Sequence, residues 1–216
     1  MPSFLKYPIS LLIILLIFCC NNSDKKSIHK TDDIKIAEKG AVFSIDTSGI
    51  SMDWTAYKFT NKVGVSGTFN DYTITKKKES GAVEDILGNL KLIIPTSTVN
   101  TKNPIRDFKL DAYFFKVFNT STITGTILNA KGDEGFIKLQ MNEKSRKIPY
   151  TYAIKNDTIT LFTHLDLNLW DAKEALNTLN AECYELHKGE DGVSKLWPDV
   201  DVSIKLPLKK SDTNEL

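Results

Sequence analysis

Few residues in this chain could do chemistry, and their spacing offers little to catalysis. Cys183 and His187 stand four apart in a stretch of helical periodicity, so they would share one face. A metal site usually takes three or four ligands, and two do not make one. Cys183 also falls in the apolar stripe of that stretch, where a thiol acts as a small hydrophobe. His164 lies in a strand-like segment with no Ser or Cys motif beside it, and Asp199 and Asp201 flank Val200 on a strand, pointing off one face into solvent. The sequence holds no Gly-rich phosphate loop, no zinc motif and no G-x-S-x-G. With no nucleophile–base pair, the reading is a binding protein that is not an enzyme, with no metal.

The densest unusual stretch is 101–118. It carries Arg106-Asp107 and then Tyr113, Phe114, Phe115 and Phe118. Asn103-Pro104 can open a helix, with Pro104 at its first position. Asp107, Leu110, Asp111, Phe114 and Phe115 then recur at helical spacing. Arg106 and Asp107 could cap or pair within this helix, or meet the polar head of a ligand. The aromatics could be plain core or could line a ligand site.

The remaining elements must position these residues. Strand-like segments run over 42–46, 52–59, 62–69, 72–78 and 87–94 before the central stretch, and over 120–128, 136–141, 146–154, 158–167 and 200–208 after it. In 62–69, Gly64 and Gly67 suit a bend or a close backbone approach. Asn156-Asp157 is a tight hairpin signal. Residues 169–188 form an amphipathic helix with Ala172, Ala175, Leu176, Leu179, Cys183 and Leu186 on its apolar stripe. The last strand alternates strictly from Val200 to Leu208. This order describes an all-β antiparallel barrel or sandwich of about eight strands, with a short central helix and one amphipathic helix near the C-terminus. An eight-stranded barrel is just wide enough to be filled by side chains or to hold one small ligand.

The 216 residues suit one domain plus a targeting segment. Lys+Arg (28) nearly balance Asp+Glu (27), which leaves no electrostatic footprint for nucleic acid. Lys6 and an apolar run over 7–18 end in Cys19-Cys20, followed at once by polar residues. The run is short for a bilayer span and has the length of a signal-peptide core. The pattern resembles a bacterial lipoprotein signal, with Cys20 the lipidated residue and Cys19 the alternative. The implied division is a signal peptide over 1–19, a flexible tether over 20–40, a barrel domain over 41–209 and a polar tail over 210–216. The Lys-, Asp- and Ser-rich stretch 23–39 would reach roughly 50–60 Å at about 3.3 Å per residue. Beyond the Cys19-Cys20 pair at the lipidation site, Cys183 is the one cysteine, so no intramolecular disulfide is available to the domain.

The order of these features resembles the YceI-like family of exported β-barrel proteins, over about 41–208. Lys62-Val63-Gly64-Val65-Ser66-Gly67-Thr68-Phe69 resembles its early x-V-x-G-x-F strand. Thr101, Arg106-Asp107-Phe108-Lys109-Leu110 and Phe114-Phe115 resemble its T…R-D-x-H-L…F-F signature, with Lys109 where the family often has His. The closing strand 200–208 is similar to its terminal strand. The resemblance implies a lipocalin-like barrel that takes an isoprenoid chain, such as an isoprenoid quinone or a polyprenyl phosphate, or another apolar small molecule. No cofactor is expected beyond such a bound lipid. The candidate ligand-binding residues are Trp54, Phe69, Arg106, Asp107, Phe114, Phe115, Phe118, Tyr150 and Tyr152. The expected location is the bacterial cell envelope, anchored to a membrane by the N-terminal lipid and facing periplasm or exterior. The alternative is an envelope structural or protein-interaction module whose barrel is packed solid.

Overall fold

Alternating apolar residues, separated by turn residues, make each strand segment one stave of a wall with an apolar face. The computed structural model describes residues 42–210. The leader, Cys19, Cys20 and the tether lie outside the described residues, as does the tail beyond Lys210. The elements are β1 (Phe43–Ile45), β2 (Ser51–Lys58), β3 (Val63–Phe69), β4 (Thr73–Thr75), β5 (Ser80–Gly81), α1 (Val83–Leu87), β6 (Lys91–Pro95), β7 (Val99–Asn100), α2 (Pro104–Leu110) with a π-helical turn (Asp111–Phe115), β8 (Thr122–Lys131), β9 (Glu134–Met141), β10 (Lys144–Lys155), β11 (Thr158–Asp166), α3 (Lys173–Glu182) and β12 (Leu196–Lys210).

The strands pair antiparallel in the order β4-β6-β8-β9-β10-β11-β12-β2-β3-β7. The two ends of this path meet. β4 follows β3 and β7 follows β6, while β3 pairs with β7 and β4 with β6. Between those pairs the Asn70 N–H donates to the Thr98 carbonyl at 2.8 Å. Counting β3–β4 and β6–β7 as one stave each, the sheet curls into a lipocalin-like barrel of eight staves, the barrel and not the sandwich of the two architectures that the strand pattern allows. The Asn156-Asp157 hairpin is confirmed: both residues have positive φ (50° and 53°), as a type I′ turn requires.

Several boundaries differ from expectation; the last strand, read over 200–208, runs from Leu196 to Lys210. The strand read over 72–78 pairs only at Thr73–Thr75. The strand read from Leu87 begins at Lys91, because residues 83–87 form the short helix α1. Ile86 and Leu87 are fully buried there, so burial decides a helix too short to show periodicity. The helix read over 169–188 is a regular α-helix only at Lys173–Glu182, flanked by 3-10 turns at Leu167–Trp170 and Tyr184–Leu186. Asp171, left-handed at φ 61°, separates the first turn from the helix. Leu186 is 62% exposed, so the buried stripe ends at Cys183.

The interior is filled at two ends. One cluster joins Phe43 and Ile45 of β1 and Val83, Ile86 and Leu87 of α1 to Tyr150, Tyr152, Ile159 and Leu206 of the wall. The other joins Phe114, Phe115 and Phe118 to Trp170, Ala175, Leu179 and Cys183. α2 and α3 are tied across this second end by Lys109 and Glu182, 3.3 Å apart.

Gly67 sits opposite Trp54 in the β2–β3 pair. A Cβ there would stand 2.3 Å from the indole and 3.0 Å from the Asn100 carbonyl oxygen. This is the close approach that the glycine in 62–69 suggested, and it leaves the Trp54 indole the space that a Cβ would take. Gly67→Ala should therefore displace Trp54 and cost about 1–3 kcal/mol, the usual range for overpacking. Denaturant unfolding and tryptophan fluorescence would check this; unchanged stability and emission would refute it.

Candidate ligand-binding cavity

Between the two plugs the barrel is hollow. The cavity has a volume of about 220 Å³ and runs from Leu90, Ile127 and Leu206 near the first plug to Phe114, Phe115, Phe118 and Leu179 at the second. Its wall is built from the inward rows of the staves: Met52, Trp54 and Ala56 of β2; Ile123, Gly125 and Ile127 of β8; Leu161, Thr163 and Leu165 of β11; Val200, Val202, Ile204 and Leu206 of β12. Among the described residues no charged side chain lines it. The polar handles in the lining already have partners. The Thr163 hydroxyl donates to the Pro149 carbonyl at 2.9 Å, the Trp54 indole N–H to Thr68 at 3.3 Å and the Trp197 indole N–H to Phe59 at 2.6 Å. The Tyr57 hydroxyl points outward to Asp201. A hydrocarbon entering this space meets no polar group in need of a partner, and gains about 25 cal/mol per Å² taken from water.

The aromatic end is organised by the helix at 104–115. Asn103 caps it: its side-chain oxygen accepts from the N–H groups of Ile105 and Arg106, both at 3.1 Å. The π-helical turn then brings consecutive Phe114 and Phe115 inside together. Their ring centres are 5.2 Å apart, with Phe118 5.3 Å from Phe114 and Phe69 6.1 Å from Phe115. Thr96 and Thr120, both buried, tie this end together: the Thr96 hydroxyl donates to the Thr120 carbonyl at 2.8 Å.

The nine candidate residues separate into groups. Trp54, Phe69, Phe114, Phe115 and Phe118 line the cavity. Tyr150 and Tyr152 do not. They continue the inward row of β10 beyond Ile148 and lie in the first plug, with ring centres 6.1 Å apart. The Tyr150 hydroxyl donates to the Asn129 carbonyl at 3.0 Å. Burial pushes both phenols up, Tyr152 to about 12. Asp107 does not reach the cavity either: one carboxylate oxygen accepts from the Thr101 N–H at 2.8 Å and the Thr101 hydroxyl at 2.6 Å, holding the turn before α2. Arg106 lies at the mouth, in a second space of about 360 Å³ that adjoins the cavity through Trp54, Ala56, Leu110, Leu179 and Leu196. Leu139, Ile148, Val200 and Val202 also line the cavity. Strand alternation could have found them; nothing local in the sequence separates a cavity wall from a packed core.

Cys183 and His187 both line the mouth, and the His187 N–H donates to the Cys183 carbonyl at 3.0 Å. Burial raises the thiol pKa and lowers that of the imidazole to about 4, with Lys58 and Lys109 adding to the second effect. Among the described residues no group of three or more His, Cys, Asp and Glu side chains could hold a metal.

His164, Asp199 and Asp201 lie on the outer wall and are wired together. The imidazole is 2.7 Å from Asp201 and 3.2 Å from Asp199; Lys62 reaches Asp199 at 2.9 Å and Tyr57 donates to Asp201. The network joins β11, β12, β2 and the residue just before β3. Its bond to Asp201 raises the His164 pKa, against a smaller opposing effect of burial. Asp199 is held low by Lys62, and Asp201 by Tyr57 and His164.

Comparison with known proteins follows the fold. No family model and no curated protein matches the chain. Solved structures do. A polyisoprenoid-binding domain from Saccharophagus degradans, implicated in plant cell wall breakdown, matches with TM-score 0.54 at 14% identity, over 78% of this chain and 98% of that one. BcnA from Burkholderia cenocepacia matches with TM-score 0.53 at 12% identity, over 76% and 99%. The YCEI protein of Campylobacter jejuni, at 19% identity, covers 69% and 86% with TM-score 0.49. At these identities the likeness is one of fold. The YceI-like, lipocalin-like barrel expected from 62–69 and 101–115 is the fold this chain has.

A raised His pKa stabilises the fold fully below the unfolded-state value of 6.5, and the contribution is lost as pH rises through the folded-state value. The lowered aspartates lose theirs only as pH falls through their own folded values, below 3.8. The melting-temperature gap between the native protein and His164→Gln should thus be wider at about pH 5.5 than at about pH 8.5. A gap that is constant, or that widens in alkali, would contradict this account of the network.

Proposed function

We propose that this chain is a non-enzymatic, lipid-tethered carrier that holds one apolar ligand, of the isoprenoid class, inside its barrel. The observation that carries this is the hollow interior: an apolar cavity whose lining polar atoms are already hydrogen-bonded. A carrier needs such a void, and the alternative of a solid interaction module needs side chains in its place. The polyisoprenoid-binding domain that shares the fold supports the choice of ligand class. The lipoprotein-like leader supports placement at the envelope surface, with Cys20 as the lipidated residue and Cys19 as the alternative. Nothing in this reading requires a bond to be made or broken.

Gly125 offers a clean test. It faces the cavity, and a Cβ there would make ordinary contacts, 3.7 Å to Leu139 and 3.8 Å to Ile137. Gly125→Leu should fill the void and keep the fold. Organic extraction of the purified native protein followed by mass spectrometry should release a prenyl-chain lipid, and the variant should release at least about tenfold less. No lipid from the native protein, or equal lipid from both, would sink the proposal.

For the anchor, labelling growing cells with a radioactive fatty acid should mark the native protein. Cys20→Ser should abolish the label and Cys19→Ser should leave it. The reverse result would move the site to Cys19, and no label at all would remove the tether from the proposal.

A further inference from the structure

We propose that the mouth of the cavity binds an anionic head of the phosphate class, so that the ligand is a prenyl phosphate or diphosphate and not a neutral quinone. This rests on the reading of the barrel as an apolar-ligand carrier. The inward row of β2 runs Met52, Trp54, Ala56 and then Lys58. The apolar wall of the cavity therefore ends, on the same row, in an ammonium group. Across the mouth, successive turns of α2 bring Arg106 and Lys109 to the same space, with Ile105 and Leu186 on its rim. Three cations line it, and among the described residues no carboxylate does.

Two of the three are fixed from outside. Lys58 donates to the Leu186 carbonyl at 2.9 Å, and Lys109 is paired with Glu182. The Arg106 guanidinium has no hydrogen-bond or ion-pair partner among the described residues. The charges feel one another: burial and then Arg106 disfavour the charged form of Lys58, and Lys58 and Lys109 both disfavour a charged His187. Like charges gathered beside an apolar void repel, and an anion between them relieves that repulsion while its tail leaves water. A guanidinium presents paired N–H donors that match phosphate oxygens, and lysines add point charge. A quinone head would bring only neutral carbonyl oxygens to the same place.

The test holds the tail constant and changes the head. Farnesyl phosphate and farnesol are titrated into the delipidated full-length protein by calorimetry, in low and high salt. The short tail suits a cavity of about 220 Å³. Farnesyl phosphate should bind at least about tenfold tighter, and the preference should shrink with salt. Arg106→Gln, exposed and outside the packed core, should erase most of that preference and leave farnesol affinity within about twofold. Equal binding of the two by the native protein, or an undiminished preference in Arg106→Gln, would overturn the anionic-head assignment and leave the carrier reading standing. If neither ligand binds, both fall together.

Discussion

Apolar side chains recur at every second position along eight staves, and closure of the sheet turns that alternation into an enclosed volume. The rest of the structure answers to this constraint. A wall whose inner face is apolar must be filled, plugged or occupied. Here β1 and α1 plug one end and the α2–α3 cap covers the other, with the middle left open. The closure depends on a short seam, where β3 and β4 meet β6 and β7.

The two ends differ in chemistry. The closed end is packed with aliphatic side chains, Phe43 and two tyrosines, and the Tyr150 hydroxyl is satisfied by a backbone carbonyl. The capped end places three phenylalanines over the cavity and cations beside them. Consecutive Phe114 and Phe115 of the π-helical turn are both buried and both line the cavity. The result is polarity along the barrel axis, apolar at depth and cationic at the mouth.

Outside the cavity, the ionisable groups that first suggest chemistry have structural partners. His164 bridges two aspartates on the outer wall, and Asp107 holds the turn before α2. Each sits where backbone geometry brings complementary charge within reach. Cys183 and His187 are kept neutral by burial at the cap.

The sequence by itself determined the strand rhythm, the all-β antiparallel class, the Asn156-Asp157 hairpin and the short helix after Asn103-Pro104, because each depends on local alternation, turn chemistry or capping; whether the sheet closes as a barrel or packs as a sandwich was left to the tertiary structure. It also determined that Phe114, Phe115 and Phe118 are apolar and clustered. Only the tertiary structure decided that they line a void while Tyr150 and Tyr152 form a plug. Both sets lie on inward faces, and depth along the barrel axis leaves no mark on local pattern. The helix α1 was likewise hidden, since five residues carry too little periodicity and burial against the barrel end selects it. Lys58 shows the same limit most clearly. In the chain it is one more lysine at the end of a strand; in the barrel it closes an apolar inward row and faces Arg106 and Lys109, residues brought there by a helix nearly fifty positions on.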